Sequence, residues 1–448
     1  MKKNVSSKTI TLTFVTLLST LTGINSLTLN CPQSTLRHPL SKKITTVLIY
    51  MAGDNGLNEV VESNIQEMLA AGSSDEVNLL AHLHTKFPEQ EKISKRLHLY
   101  NGTAWQCDTI EAMDSGHPTT LRTACEWALR DFPADHFILV LWGSAAGPGK
   151  QTSDHTPMRS TCYDESTGNY LSDADLRETL EAICTLNRNR KNIDIVAFDS
   201  CLQSGIEIAY AIQPHSDIMI ATQAPAARDG YNYRQWLKTL YNNPSDMRAV
   251  ATGMVETYEQ KYKESGEEYA LSAIDLTKLE PAVMGLRELA RILTNNLHSD
   301  TDGTLGMAIR ACALEKECPI LVNCALGEWI GDIDAVQFCR NLCKTFEQME
   351  EEEISSEPPS AIIPRMVKRA LRSTIFARVT SPMYANTYGL SIYLPTESIN
   401  PTYPSMLWAR QTGWMPFLEA LTKNNSNVFT DKETSRIRNT ITIDKPFD

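Results

Sequence analysis

Two apolar segments of this chain end in residues whose types are suited to nucleophilic chemistry. Residues 192–201 run through an apolar stretch into Asp199-Ser200-Cys201, which places a thiol at the end of a predicted buried strand. Open α/β sheets carry their chemistry at the carboxyl ends of their strands. Residues 136–142 form a similar stretch, but Gly143 and Ser144 follow where a cysteine hydrolase needs a histidine. The function therefore depends on whether this thiol has a base.

Composition limits the classes of function. The chain has 448 residues, which suits one large α/β unit with an additional lobe, and its 42% hydrophobic residues suffice for a sizeable core. The net charge of −12 excludes nucleic acid as the main partner. An acidic surface favours solubility and is also compatible with basic peptide substrates.

The N-terminus predicts export. Lys2, Lys3 and Lys8 precede an apolar stretch at 10–21, the pattern of a signal peptide, and we assign it to residues 1–26. The stretch is short for a membrane-spanning helix, and no later segment resembles one. Cys31 resembles a loose lipoprotein site, so membrane attachment through its lipidation is an alternative. Asn30 is a poor residue before such a cysteine, which favours ordinary cleavage.

The chain contains eleven cysteines, an odd number, so at least one is free or pairs between chains. In an exported protein some are expected to pair. Five cluster between 312 and 343, without a Cys-x-x-Cys pair or a nearby histidine, and this argues against zinc. Buried thiols or a local disulfide are the favoured interpretations. We expect no cofactor, and no calcium-loop motif is present.

Hydrophobic periodicity predicts alternating strands and helices, which implies a largely parallel sheet covered by helices on both faces. We predict strands at 46–52, 77–84, 136–142, 192–198 and 216–222, with helices at 57–70, 119–130 and from Ser172. After about residue 240 the pattern is mainly helical, with an exposed loop at 348–364, late strands at 373–377 and 389–395, and a closing helix at 406–421. The predicted organisation is a signal peptide, a linker at 27–43, a core at 44–270 and a mainly helical region at 271–448 whose late strands complete the fold.

Five segments in order resemble the clostripain-like cysteine peptidases, which have a caspase-type α/β fold. They are residues 47–55, 139–142, 198–202, 229–233 and 389–393, and the order and spacing fit across about residues 45–420. The resemblance implies an endopeptidase that cleaves after arginine or lysine. It identifies Cys201 as the nucleophile and Asp199 and Asp229 as the acids that line the pocket for the basic side chain.

The chain departs from that family at the histidine. The family motif Trp-Asn/Asp-His-Gly directly follows the third strand, and here Ser144 occupies the histidine position. The acidic stretch before Asp229 is also changed, to Gln223-Ala224-Pro225. The small residues from Gly143 onward predict a tight turn, and the backbone amides of Ala145 and Cys201 are candidate oxyanion donors. Ser144 itself lacks the context of a serine nucleophile.

Three histidines are candidates for a replacement base. His84 ends the second strand and is separated from Cys201 by two strands, hence by well over ~10 Å. His136 lies at the wrong end of its strand. His155 lies in the loop after the third strand and is the remaining candidate, although a solvated loop histidine is the simpler interpretation.

Simpler interpretations exist for the other site residues as well. Taken alone, Cys201 is compatible with a small buried residue. Asp199 is compatible with a helix-cap or turn role, and Asp229 with an Asp-Gly turn. Lys150 and Arg159 lie in the loop where family members cut themselves, which is a weak signal.

Three hypotheses follow for an exported and monomeric protein. The first is a cysteine endopeptidase with impaired or atypical activity. The second is a pseudopeptidase that binds basic peptides without cutting them. The third is an exported surface or interaction protein with a vestigial pocket.

Overall fold

A computed structural model describes residues 28–30, 41–100, 102–145, 159–186, 192–314, 331–351, 359–395 and 398–423. The predicted signal peptide, Cys31, Lys150 and His155 lie outside these residues. Within them, no helix has the length and apolarity needed to cross a membrane.

Ten strands form one mixed sheet in the order β1-β5-β4-β3-β2-β6-β7-β8-β9-β11, and β10 and β12 form a separate pair. The strands are β1 Thr28–Asn30, β2 Lys43–Gly53, β3 Val77–Thr85, β4 Ile93–Tyr100, β5 Thr103–Thr109, β6 Ala134–Gly143, β7 Ile193–Asp199, β8 Ser216–Ala221, β9 Ala270–Asp275, β10 Asp332–Asp334, β11 Ile375–Thr380 and β12 Ser391–Tyr393. The five central strands, from β3 to β8 in this order, are parallel. Antiparallel pairs extend the sheet on both sides.

Helices cover both faces of this sheet. They are α1 Asn58–Ala71, α2 Pro118–Asp131, α3 Asp173–Leu186, α4 Ile206–Ile212, α5 Tyr233–Asn242, α6 Met247–Tyr262, α7 Glu280–Ser299, α8 Thr304–Leu314, α9 Ala335–Glu351, α10 Ile362–Thr374, α11 Leu407–Gln411 and α12 Trp414–Lys423. Alternate residues of β2 point to opposite faces: Leu48 and Tyr50 join the core under α2, α3 and α7, whereas Val47 and Ile49 join the core under α1, α5 and α6. The predicted α/β fold with covered faces is confirmed.

The predicted central strands and the helices that follow them match the structure to within a few residues. The antiparallel hairpin of β4 and β5 was missed, because charged and polar residues interrupt its alternation. The dipeptide Asn101-Gly102 between the two strands is a strong hairpin signal that would have revealed it. Residues 28–30, predicted as linker, pair with β5 instead.

Three late predictions need correction. The predicted loop at 348–364 is too long, because α9 continues to Glu351 and α10 begins at Ile362. The closing helix is two helices, since Gly413 between them takes φ +78°, a conformation that interrupts a helix. The stretch after residue 240 also contains a strand that was not predicted, β9, which extends the sheet from β8; β11 pairs with β9, as expected of late strands that complete the fold.

Strand β3 carries two fully buried histidines, His82 and His84, with ring centroids 4.5 Å apart. Burial, helped by Lys92 and Arg96, lowers the pKa of His84 to about 3. Burial also lowers the pKa of His82 well below its usual value, with the charges of His84 and Arg96 adding to the effect. Both imidazoles are therefore neutral in the folded protein at neutral pH.

These histidines predict a loss of stability in acid. The unfolded chain binds protons at histidine near pH 6.5, but folded His84 does so only near pH 3, so stability falls as the pH drops between these values. The double variant His82→Gln/His84→Gln is expected to lose less stability than wild type between pH 7 and pH 4. Thermal unfolding midpoints across that range measure this difference. Equal losses in the two proteins would contradict the prediction.

Candidate active site

Ser144 and Cys201 follow the ends of two strands, β6 and β7, that pair directly with each other. Trp142 pairs with Asp199 in these parallel neighbours. Ser144 and Cys201 each lie two residues further on, at the carboxyl edge of strands that are ~4.8 Å apart. Both residues thus follow the carboxyl ends of adjacent strands. That Ser144 takes the place of a histidine that would act on the thiol stays a prediction.

The chain turns sharply at Cys201. Cys201 is partly exposed, its Sγ accepts a hydrogen bond from the Ala226 amide at 3.2 Å, and Leu202 follows with φ +58°. The next helix, α4, begins only at Ile206. The interpretation of Asp199 as a cap of that helix is therefore wrong, because six residues of turn and loop separate the two elements.

Two of the three candidate histidines lie away from Cys201 and contact other side chains. β2 and β6 separate His84 from β7, as predicted, and its Nδ1 lies 2.8 Å from Ser94 Oγ. His136 sits at the amino-terminal end of β6, with Nδ1 2.8 Å from Asp194 Oδ1. Neither imidazole is available to Cys201. His155 remains a prediction outside the described residues.

The turn after β6 is anchored across the loop that follows it. The Ser144 carbonyl accepts from the Tyr163 amide at 3.2 Å, and the Ala145 carbonyl accepts from the Ser160 hydroxyl. A Cβ at Gly143 would lie 2.9 Å from the Ala52 carbonyl oxygen, so β2 is too close for a larger residue. This close approach accounts for glycine where the family has Asn or Asp. The predicted oxyanion role of the Ala145 and Cys201 amides stays a prediction.

Asp199 lies buried at the end of β7, beside the thiol. Its Oδ2 accepts from the Tyr231 amide at 3.0 Å and from the Tyr233 hydroxyl at 2.8 Å. Burial raises the pKa of Asp199 to about 6, while these two hydrogen bonds and Lys261 pull it back down. The carboxylate is thus mainly ionised at pH 7 and becomes protonated as the pH falls through about 6.

Asp229 occupies a different depth. It is exposed in a turn closed by a hydrogen bond from the Gly230 amide to the Ala227 carbonyl at 3.1 Å, and Gly230 takes φ +66°. The Asp-Gly turn interpretation is confirmed. A Cβ at Gly230 would lie 2.5 Å from Asp199 Oδ2, so glycine is required for the turn to pass over this carboxylate. A role for the Asp229 carboxylate in the pocket stays a prediction.

The changed stretch at Gln223 has a structural role. Gln223 is buried, donates to Asp334 Oδ2 at 3.0 Å and accepts from the Gly389 amide at 2.7 Å. It therefore joins the loop after β8 to the segment that leads into β12. A neutral amide can both donate and accept here, which a carboxylate cannot do.

Arg159 is buried rather than accessible to a protease. Its side chain is 2% exposed and forms ion pairs with Glu207 at 2.9 Å and Asp332 at 2.8 Å. Its Nη1 also donates to the Leu202 carbonyl at 3.0 Å, directly after the nucleophile position. The suggestion that Arg159 is a processing site is inconsistent with this burial, since the residue holds the Cys201 turn in place.

The structure shows no disulfide between any two cysteines of the described residues, which are Cys107, Cys125, Cys162, Cys184, Cys201, Cys312, Cys339 and Cys343. The thiols of Cys312, Cys339 and Cys343 are buried, as one of the two interpretations of the cluster expected. The rest of the cluster, Cys318 and Cys324, falls outside the described residues.

A mainly parallel sheet that positions a cysteine at its carboxyl edge defines a cysteine peptidase of caspase-like architecture. The model of the clostripain family matches residues 49–430, and the chain belongs to that family. Clostripain of Hathewaya histolytica is 21% identical over 405 residues, which cover 78% of this chain and 74% of that protein.

Solved structures of C11 proteases are similar in fold. An inactive zymogen C11 protease from Parabacteroides distasonis has a TM-score of 0.58 at 21% identity, covering 83% of this chain and 99% of that one. A secreted C11 cysteine protease from Bacteroides thetaiotaomicron, in complex with an irreversible peptide inhibitor, has a TM-score of 0.56 at 16% identity, covering 84% and 99%.

Sequence reasoning missed several residues of the site. Tyr231 and Tyr233 lie in a segment that carried the resemblance, but their contacts with Asp199 could not be read from it. Lys261 and Tyr258 lie on α6 and reach the site only through tertiary packing. No local pattern marked either residue.

Proposed function

We propose that this protein binds peptides through an arginine or lysine side chain placed against Asp199, and that its peptidase turnover is severely impaired. The observation that supports the proposal is the pairing of β6 with β7, since Ser144 and Cys201 each follow the carboxyl end of one of these two strands. We propose that Asp199 is a retained pocket acid near the thiol, and that serine fills the position of the missing base.

The chemistry explains the expected impairment. A thiolate attacks the peptide carbonyl carbon, and the resulting tetrahedral intermediate expels the amine only when that amine receives a proton. A histidine stabilises the thiolate and supplies this proton, after which water hydrolyses the acyl-enzyme. An unperturbed thiol is only a few per cent ionised at pH 7, and serine neither takes nor gives a proton there. Loss of one member of such a set costs on the order of 10⁴–10⁶ in turnover.

Ligand binding tests the pocket without requiring turnover. The Asp199→Asn variant is expected to lose affinity for an arginine-ended peptide by about 10–100-fold, because a charge-assisted hydrogen bond disappears. Wild-type affinity is expected to fall as the pH drops through about 6, where Asp199 becomes protonated. Asp229→Asn tests the second predicted pocket acid: its carboxylate is exposed and screened by solvent, so we expect a smaller loss than for Asp199→Asn. Calorimetric titration between pH 5 and 8 measures all three proteins, and equal affinities would refute the assignment of Asp199.

Cleavage of an arginine-ended fluorogenic peptide separates a slow peptidase from a pseudopeptidase. Wild type, Cys201→Ala and His155→Ala are compared at high enzyme concentration. Slow cleavage that disappears in Cys201→Ala indicates residual thiol chemistry, and its further loss in His155→Ala identifies the base. Binding without any cleavage indicates a pseudopeptidase. The absence of both binding and cleavage would favour the third hypothesis, a surface protein with a vestigial pocket.

The proposed setting is outside the cytoplasm, because the N-terminal pattern at residues 1–26 predicts export. We also propose that the mature protein is a monomer, and that lipidation at Cys31 is an alternative to ordinary cleavage. Mass spectrometry of the mature N-terminus in the native host distinguishes the two.

A further inference from the structure

Lys261 on α6 makes an unusual set of contacts behind the pocket. Its amino group donates to the carbonyl oxygen of Asp229 at 2.9 Å and to that of Tyr231 at 3.0 Å. It also forms an ion pair with Glu67 of α1 at 3.1 Å. The side chain is only 16% exposed, so these bonds form largely out of solvent.

Glu67 closes the same arrangement from the other side. Its second oxygen, Oε2, accepts from the Tyr233 amide at 3.0 Å, at the start of α5. The carbonyl oxygen of Tyr231 thus binds Lys261, whereas the amide of the same residue donates to Asp199. Lys261 and Glu67 therefore hold the backbone that contacts the pocket acid, without touching that acid themselves.

Two tyrosines of α6 extend this support along the loop at residues 226–231, which we name the pocket loop. Tyr258 accepts from the Ala227 amide at 3.1 Å, and Tyr262 donates to the Gly230 carbonyl at 2.6 Å. The same loop donates from Ala226 to the Cys201 sulfur at 3.2 Å. One helix thus fixes the loop that meets both the thiol and the pocket acid.

We propose that Lys261, paired with Glu67, is a positioning residue that holds the pocket loop over Asp199 and supplies the internal positive charge that keeps this carboxylate ready for a basic side chain. The part that concerns ligand binding rests on the function proposed above. The part that concerns the charge of Asp199 does not.

The groups facing Asp199 determine the direction of the effect. Burial and Glu67 of α1 raise its pKa, whereas the hydrogen bonds from Tyr231 and Tyr233 and the charge of Lys261 lower it. The phenols of Tyr258 and Tyr262 on α6 have raised pKa values and stay neutral at working pH. Lys261 is thus a cation whose charge lowers the pKa of Asp199, and we expect its removal to raise that pKa.

The test compares Lys261→Met and Lys261→Gln with wild type. Glutamine can still donate to a backbone carbonyl but carries no charge, so it separates the charge from the tether. Lys261→Arg should restore wild-type behaviour, and Lys263→Met, on the exposed residue two positions on, is the matched control. In both Met and Gln variants at position 261, the pH below which arginine-peptide affinity is lost should rise by about 1 pH unit.

A direct titration makes the result independent of any ligand. The carboxyl signal of Asp199 is followed by NMR in protein with ¹³C-labelled aspartate, and Asp199→Asn assigns it. The inference is supported if the pKa of Asp199 rises in Lys261→Met and Lys261→Gln but not in Lys261→Arg or Lys263→Met. This result supports the inference even if no peptide binds; in that case only the proposed function fails. An unchanged titration in both uncharged variants overturns the inference, even if peptide binding is normal.

Discussion

The Ser144→His variant is expected to hydrolyse an arginine-ended fluorogenic peptide about 10²–10⁴-fold faster than wild type, the usual contribution of a positioned acid–base group. Ser144 is partly exposed at the end of β6, so a larger side chain can be accommodated there. Position 144 follows the strand that pairs with the strand before Cys201, so we expect the imidazole to reach the thiol, favour the thiolate and then protonate the departing amine. The initial rate near pH 7.5, with substrate in excess, measures the gain.

Ser144→Gln is the matched control, because glutamine is polar and similar in size to histidine but does not act as a base. The gain must also vanish in Ser144→His/Cys201→Ala. Restoring the whole family motif by adding Gly143→Asn is expected to lower stability, since the new Cβ would meet Ala52 at 2.9 Å. A Ser144→His protein that binds the peptide yet cleaves no faster than Ser144→Gln would mean that the missing histidine is not what limits turnover.

The Arg159→Met variant is expected to lower the free energy of unfolding by about 3–5 kcal/mol, the usual result of removing one member of a buried ion pair. Glu207 and Asp332 would be left as buried carboxylates without their cation. The Leu202 carbonyl would also lose its bond from Arg159, which loosens the Cys201 turn. Thermal unfolding midpoints measure the stability of the protein. The alkylation rate of Cys201 measures how far the Cys201 turn has loosened.

The loss should depend on pH. Asp332 has its pKa raised to about 6 by burial even with Arg159 present, and without that cation the carboxyl stays protonated to higher pH. The destabilisation is therefore larger at pH 8 than at pH 5, where protonation removes the unpaired charge. Arg130→Met is the matched control: its ion pair with Asp131 is exposed, so we expect a change below about 1 kcal/mol. Equal losses in the two variants would refute the structural role of Arg159.

The central sheet was predictable from the sequence because its strands are buried on both faces. Such strands read as continuous apolar runs, as in residues 47–52 and 193–198, and a run of this kind has few alternatives. The peripheral strands β4 and β5 are half-exposed, so polar residues interrupt their pattern. Their existence depends on pairing with β3, which is a tertiary contact.

Some residues of the candidate site were likewise predictable from the sequence, and others were not. Cys201, Asp199 and the substitution at Ser144 were predicted from the sequence through the family resemblance, and each lies at or just beyond the end of a strand that hydrophobic burial marks. Arg159 looked like an accessible basic residue in a loop, and only the fold shows it buried between Glu207 and Asp332, which are 48 and 173 positions away in the chain.

The sequence by itself thus determined the family and the central sheet and predicted the loss of the histidine, since these depend on residue type and local periodicity. The tertiary structure alone decided that Asp199 is buried and Asp229 exposed, that Arg159 is buried, and that Lys261 contacts the pocket loop. Burial and charge pairing act between groups that are distant in the chain, and those distances do not exist until the chain has folded.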